Sequence, residues 1–294
     1  MIIKNLYVFL FMFFTIFIHA QSSTHLKVLS WNIGALPYIE ELRNKTDRLN
    51  SISSALVTQK TYDIIIFEES FTNKSRQIIE NKLHDMYPYS YGPISSTLKF
   101  NSGLWILSKI PLKMKKEIVF KNSKGFDFLA RKGAALFTGE IDNIQFQLII
   151  THLEDDNYPQ DIRNKQLTQI YKQLLVVYSD SKVPQIICGD FNTDQKNKKD
   201  YSDLINKLDV QNDTIHGKFT FDDEDNDIYK SNNNPRVIDY ILIRNSQFIK
   251  NIKRDVIIFK NKWKKGYYLS DHNAIEADID FCDQKLYVEN NKIK

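Results

Sequence analysis

The sequence predicts a single α/β domain in which β-sheets pack against each other and against helices. Apolar runs of strand length recur along most of the chain, and segments with helical periodicity separate some of them. No linker-like stretch interrupts the pattern. Hairpin-linked strands mixed with helix-linked strands are typical of one domain built from packed sheets.

The predicted strands are rich in Ile, Val, Leu, Phe and Tyr, and turn residues bound them. They lie at residues 26–33, 63–69, 103–108, 134–141, 144–153, 185–191, 237–243, 256–259 and 274–279. The segment GEIDNIQ predicts a hairpin whose turn lies at Asp142 and Asn143.

Helical periodicity is clearest over residues 161–180, where apolar side chains recur at steps of three and four residues and Asp161 is a candidate N-cap. Further helices are predicted over 47–60, 74–86 and 200–208. The polar, turn-rich stretch 221–235 predicts a long surface loop.

Residues 1–20 predict a secretory signal peptide, because one lysine precedes a nearly unbroken apolar run that ends in small residues at Ala20. An N-terminal membrane anchor is the alternative, but the run is short for a span. Cys188 and Cys282 do not resemble a disulfide framework, and Cys188 is expected to be a buried apolar residue. The net charge of +4 fits an anionic partner without requiring one.

The run QIICGDFNTD ends in oxygen-bearing side chains. Because side chains alternate along a strand, Asp190 and Asn192 are expected to point the same way while Phe191 points into the core. Two rigidly held side chains of this kind suit a hard cation, or a water and a phosphoryl oxygen. A simple turn is the alternative, since Gly-Asp and Asn-Thr-Asp are common in loops.

Other predicted strands also end in polar side chains, namely Asn32, the pair Glu68 and Glu69, His152, and the pair Asp271 and His272. Each one alone fits a structural role. Several together favour a site, because unpaired polar groups near a core are costly. Asp239 lies inside the apolar run VIDYILI, so it is expected to have a partner, and a histidine is a good candidate.

Taken in order, the segments SWNIG, FEES, THLE, GDFNTD, IDYI and SDHNAI resemble the signature of the endonuclease/exonuclease/phosphatase superfamily, over about residues 26–280. Within it, three segments resemble those of bacterial neutral sphingomyelinases: FKNSKGFDFLARKGAALF, THLEDD followed by IRNKQL, and HGKFTFDDEDNDIYKSNNNPRVIDYI. The resemblance implies a DNase I-like four-layer sandwich, with two packed, mainly antiparallel sheets flanked by helices. Residues 21–294 would form one catalytic domain.

The activity implied by the resemblance is that of a secreted Mg²⁺-dependent phosphodiesterase, a phosphoric diester hydrolase acting on a phospholipid. Sphingomyelin, cleaved to ceramide and phosphocholine by an activated water, is the expected substrate. A secreted DNase I-like nuclease, or another phosphodiesterase of the same fold, is the alternative. Mn²⁺ or Co²⁺ are possible substitutes for the metal.

The same resemblance implies the roles of the polar strand ends. Glu69 is the expected principal Mg²⁺ ligand, with Asn32 beside it and Asp271 completing the metal surroundings. The expected catalytic residues are His272 as general base, Asp239 orienting it, His152 stabilising the phosphate or protonating the leaving group, and Asp190 and Asn192 positioning water and phosphate. Asp190 as the general base stays an open alternative to His272.

The segment FKNKWKKGYYL (259–269) places Trp263, Tyr267 and Tyr268 among lysines. Rings with basic neighbours are typical of a membrane interface, so the segment predicts peripheral contact of a monomer with phospholipid. The same residue types bind nucleic acid, and an ordinary solvated hairpin is a third interpretation. The modest positive charge and the predicted export favour the phospholipid.

Overall fold

Two β-sheets stack face to face, and helices cover the outer surface of each sheet. The computed structural model describes residues 24–36, 45–59, 62–96, 101–124, 130–211, 215–222, 224, 226–229, 234–264 and 266–282. The predicted signal peptide lies outside these residues. In the described part of the chain, no helix is long and apolar enough to cross a bilayer.

The first sheet has six strands in the order β10, β13, β1, β2, β4, β3. In that order they are Ile249–Ile257, Ala274–Phe281, His25–Ala35, Ile64–Ser70, Trp105–Ser108 and Tyr89–Tyr91. Only the central pair, β1 with β2, is parallel. Parallel strands end at the same edge of a sheet, so the predicted site residues at the ends of β1 and β2 are neighbours.

The second sheet has five strands in the order β5, β6, β7, β8, β9. They are Leu112–Val119, Gly133–Ile141, Ile144–His152, Gln185–Asp190 and Asp239–Arg244. Again one pair, β7 with β8, is parallel, and the register places His152 opposite Asp190. On the other side of β8, Asp190 lies opposite Asp239. This pairing brings three predicted site residues together at one edge.

A glycine allows β7 and β8 to approach closely just below the site. Gly189 has a φ of 145°, and a Cβ at this position would lie 1.9 Å from the backbone oxygen of Thr151. Only glycine combines this backbone conformation with so close an approach. The glycine of the CGD sequence therefore positions the carboxylate that follows it.

Three apolar clusters hold the four layers together. The central cluster fills the space between the sheets and includes Ile66, Leu148 and the fully buried Cys188. A second cluster joins the first sheet to α1 (Lys45–Thr58) and α2 (Asn73–Leu83). The third joins the second sheet to α3 (Gln160–Ile170) and α4 (Lys198–Leu208). The predicted fold class is confirmed.

Some element boundaries differ from the sequence prediction. The helix predicted over 161–180 is α-helical only as far as Ile170 and continues as a π-helical turn, Tyr171–Leu175, in which the Val176 amide donates to the Tyr171 carbonyl. Strand β5 was not predicted, because its centre faces solvent and carries lysines instead of alternating apolar residues. The Asp142–Asn143 hairpin is confirmed, and both turn residues have positive φ.

Candidate active site

Polar side chains from both sheets meet at the edge where the two parallel strand pairs end. Asn32, three residues before the end of β1, donates from Nδ2 to Oδ2 of Asp190 over 3.1 Å, so the contact joins one sheet to the other. Both side chains are buried. The predicted convergence of polar strand ends is therefore present in the structure.

His272 lies between two of the buried carboxylates. Its Nδ1 is 3.0 Å from Oδ2 of Asp239, and its Nε2 is 3.8 Å from Oδ2 of Asp190. Burial opposes a charge on the imidazole, but the carboxylates of Asp239, Asp190 and Asp271 raise the pKa of His272 to about 10. The predicted histidine partner of Asp239 is thus His272, held with Nε2 directed toward Asp190.

The carboxyl group of Asp190 also has a raised pKa. Burial and the charge of Asp239 raise the pKa of Asp190 to about 7, although His272 and Lys132 act in the other direction. The Asn192 amide donates to Oδ1 of Asp190 over 2.9 Å. A carboxylate with a pKa near neutrality and an imidazole so close to it are suited to exchanging a proton with bound water.

His152 is fully buried beside a lysine. Its Nε2 lies 3.0 Å from Nζ of Lys132 and 3.5 Å from Oδ2 of Asp190. Burial, together with the positive charges of Lys132 and His272, lowers the pKa of His152 well below its ordinary value. A neutral ring that accepts a hydrogen bond from lysine fits phosphate stabilisation better than protonation of a leaving group.

Lys132 is a site residue that the sequence analysis did not select. It is 3% exposed, and its Nζ also donates to the Leu153 carbonyl over 2.8 Å. Its charge opposes the rise in the pKa of both Asp190 and Glu69 that burial causes. The sequence feature that could have indicated Lys132 is the Lys-Gly pair at the start of β6. This pair lies in the segment FKNSKGFDFLARKGAALF, which resembles the family.

Glu69 and Asp271 form the acidic side of the site. Burial and the charge of Asp271 raise the pKa of Glu69, while a hydrogen bond with the Asn32 side chain opposes the rise. A divalent cation would relieve both the burial cost and the repulsion between these two carboxylates. The oxygen ligands of Glu69, Asn32 and Asp271 therefore fit Mg²⁺ by their chemistry.

Glu68 points away from this acidic pair. It is fully buried, and Ser30 Oγ donates to its Oε1 over 2.7 Å. Burial raises the pKa of Glu68 well above its ordinary value, although the hydrogen bond from Ser30 opposes the rise. Glu69 has a φ of 54°, which ends the regular alternation and separates the two neighbours. The preference for Glu69 as the ligand agrees with this arrangement.

Asp239, Asp190 and His272 offer ligand atoms within 4.8 Å of one another, and are thus a second group that could hold a metal ion. The hydrogen bond between His272 and Asp239 already uses one ring nitrogen. Mg²⁺ prefers oxygen ligands to imidazole. By this chemistry, the oxygen atoms of the Glu69 group suit a hard cation better than the group that contains His272.

Asn192 closes the site on the side of the second sheet. It has a φ of 47°, and its Nδ2 donates to the Leu153 carbonyl over 3.1 Å. Strand β8 has ended by then, so Asn192 reaches the site through this left-handed residue and not through regular alternation along the strand. Phe191 points into the core as predicted.

A model of the Endonuclease/Exonuclease/phosphatase family matches residues 29–272, which include every predicted site residue. The chain belongs to this family.

Sphingomyelinase C 2 of Leptospira interrogans is 28% identical over 284 residues, covering 85% of this chain and 45% of the relative. Phospholipase C of Staphylococcus aureus is 28% identical over 263 residues, covering 76% and 78% of the two chains. The chain spans about half the length of the Leptospira relatives.

Solved structures within the family share the fold. A beta toxin structure from Staphylococcus aureus superposes with a TM-score of 0.75 at 24% identity, covering 86% of this chain and 99% of the other. A mutant of the same toxin with bound magnesium ions gives a TM-score of 0.73 at 23% identity, covering 88% and 100%. These likenesses show the DNase I-like sandwich.

The structure changes the prediction for the aromatic hairpin, β11 (Lys260–Trp263) with β12 (Gly266–Tyr268). Tyr268 is buried, and Trp263 is half-buried, with its Nε1 donating to the Tyr268 carbonyl over 2.8 Å. Tyr267 is 57% exposed. Of the three predicted rings, Tyr267 therefore has the most exposed surface, and Trp263 is exposed in part.

Proposed function

We propose that the chain is a secreted, Mg²⁺-dependent sphingomyelinase that hydrolyses sphingomyelin to ceramide and phosphocholine. The observation that carries the proposal is the buried arrangement of Asp239, His272 and Asp190 next to an acidic pair suited to a hard cation. Two relatives of this chain are named as a sphingomyelinase and a phospholipase C, which supports a lipid phosphodiester as the substrate.

Glu69, Asn32 and Asp271 would hold Mg²⁺, which when bound offsets charge on the phosphoryl oxygens. The carboxylate of Asp271 contributes to the raised pKa of His272, so neutralising it brings that pKa down. His272 then takes the proton of the attacking water through Nε2. Asp239 fixes the ring orientation and stabilises the imidazolium.

The other buried groups bind the phosphate and its attacking water. Asp190 and Asn192 position the water and the phosphate from the second sheet. Lys132, which is hydrogen-bonded to the neutral ring of His152, would supply a positive charge beside the phosphate. Fixed donors and charges of this kind stabilise the extra charge of the transition state without reorganisation.

The test is to incubate the mature protein and Mg²⁺ with sphingomyelin liposomes and, separately, with duplex DNA. We expect phosphocholine release, and we expect His272→Ala to reduce it at least about 100-fold with an unchanged circular dichroism spectrum. His84→Ala is the matched control, since His84 is an exposed histidine at the end of α2.

DNA nicking without phosphocholine release would reassign the chain to a nuclease. An unchanged rate in His272→Ala would remove this histidine from the mechanism. Glu69→Gln should mainly raise the Mg²⁺ concentration needed for half-maximal rate, and an unaltered titration would contradict its role as a ligand.

Export and membrane contact are part of the same proposal. Cleavage after Ala20 would leave Gln21 as the first residue, which N-terminal sequencing of exported protein checks. The exposed ring of Tyr267, together with Lys260 and Lys262 on the paired strand β11, would supply the peripheral contact with lipid. Tyr267→Ala should then weaken sedimentation with liposomes.

A further inference from the structure

A chain of aromatic contacts leads from the catalytic histidine to the surface. The ring of Phe221 meets the ring of His272 edge to face, with 5.1 Å between centroids. Tyr229 packs on Phe221 at 5.7 Å and is 42% exposed. An exposed aromatic ring therefore lies one ring away from the candidate general base.

Phe221 itself has little surface left for a ligand. The guanidinium of Arg236 lies over its ring at 4.7 Å, and Phe221 is buried. Arg236 is in turn ion-paired with Asp156, which offsets its positive charge. Tyr229 is consequently the ring of this group that offers a face to solvent.

The segment that carries Tyr229 is strongly acidic. Residues 222–227 contain five carboxylates, and they follow Phe221 directly. The segment is anchored to the site, because buried Asn226 donates to the Ser270 carbonyl over 2.8 Å. Asp227 also accepts from the amides of Tyr267 and Tyr268, at 2.6 Å and 3.1 Å.

We propose that the Tyr229 ring binds the cationic headgroup of the substrate, with the negative potential of Asp222, Glu224 and Asp227 supporting it. This subsite rests on the proposed function and specifies the chemistry that it recognises, a quaternary ammonium next to a phosphate. An aromatic face attracts such a cation through its quadrupole. The same negative potential repels the phosphates of nucleic acid, so it also favours lipid over DNA.

The test measures binding to the full mature chain with Mg²⁺, using phosphocholine and inorganic phosphate as probes in ligand-observed NMR. We expect Tyr229→Ala to lower the affinity for phosphocholine about 5-fold, because an exposed cation–π contact has this strength. The affinity for inorganic phosphate should not change measurably. Tyr229→Phe keeps the aromatic face and should bind phosphocholine like the wild type.

Equal phosphocholine affinity in Tyr229→Ala and wild type would overturn the subsite, as would an equal loss for both probes. Because the measurement needs no turnover, it separates the two proposals. If binding of phosphocholine depends on Tyr229 but sphingomyelin is not hydrolysed, the proposed activity is contradicted and the subsite is supported. If sphingomyelin is hydrolysed but phosphocholine binding does not depend on Tyr229, the subsite is contradicted and the proposed activity is supported.

Discussion

Asp190 is the residue on which the polar contacts of both sheets converge. Its Oδ2 lies within 4 Å of polar atoms on Asn32, His152 and His272, while its Oδ1 accepts from the Asn192 amide. These contacts hold the carboxylate of Asp190 in one orientation. Asp190 as general base remains the alternative to His272, since its pKa near 7 also suits the task.

Replacing Asp239 tests whether the pair His272 and Asp190 supplies the base. Asp239→Asn keeps the side-chain size but removes the charge that raises the pKa of His272 and orients its ring. We expect kcat to fall about 100-fold with little change in KM, and the pH–rate profile to shift. A profile that does not shift would show that neither His272 nor Asp190 is the base, because Asp239 raises the pKa of both.

The buried lysine beside His152 gives a second prediction at this scale. Lys132→Met should lower kcat about 10- to 100-fold by removing a charge next to the phosphate site. It should also raise the pKa of His152, which burial and Lys132 now hold down. An NMR titration of the imidazole measures this shift, and Lys121→Met, an exposed lysine, is the control.

At the scale of elements, helix α1 holds two chain segments of the site in place. Arg48, which is buried, donates to the carbonyls of Ile33, Gly34 and Leu269, at 2.7, 3.0 and 2.6 Å. These carbonyls follow Asn32 and precede Asp271. One side chain thus fixes the spacing between two of the proposed metal ligands.

Arg48→Lys retains the charge but not the planar group that reaches three carbonyls. We expect the free energy of unfolding to fall by about 2–3 kcal/mol, because buried carbonyls lose their donors. We also expect a weaker response to Mg²⁺. Urea denaturation measures the first effect, and an unchanged midpoint would show that the contacts contribute little.

The strands most readily predicted from the sequence were those buried on both faces. Strands β2, β7 and β8 are near-continuous apolar runs, and they end where Glu69, His152 and Asp190 stand. Edge strand β5 lacked this signal because solvent covers much of it. Lys132 was missed because lysine is normally a surface residue, and its burial depends on partners distant in sequence.

For the whole molecule, the raised pKa values predict how metal-free stability depends on pH. His272 has a folded pKa of about 10 against an ordinary value of 6.5 in the unfolded chain, so its stabilisation is complete below 6.5 and is lost as the pH rises through 10. Asp190 also binds its proton more tightly when folded, between 3.8 and about 7. Both effects lower stability as the pH rises.

Thermal melts in EDTA at pH 6.5 and 9.5 check this dependence. We expect a lower Tm at pH 9.5, and His272→Gln should remove most of that difference. Adding Mg²⁺ should raise Tm by ligand linkage in the wild type and much less in Glu69→Gln. A Tm that is the same at both pH values would contradict the assigned shifts.

The contacts Asn32–Asp190 and His272–Asp239 each join the first sheet to the second. The geometry of the site therefore depends on the relative position of the two sheets. A small shift of one sheet against the other changes both hydrogen bonds at once. Apolar packing tolerates such a slide far better than directional bonds do. Volume-conserving substitutions in the central core, far from any substrate, should consequently slow turnover while they change Tm little. The packing between the sheets therefore contributes to catalysis by fixing the distances between the site residues.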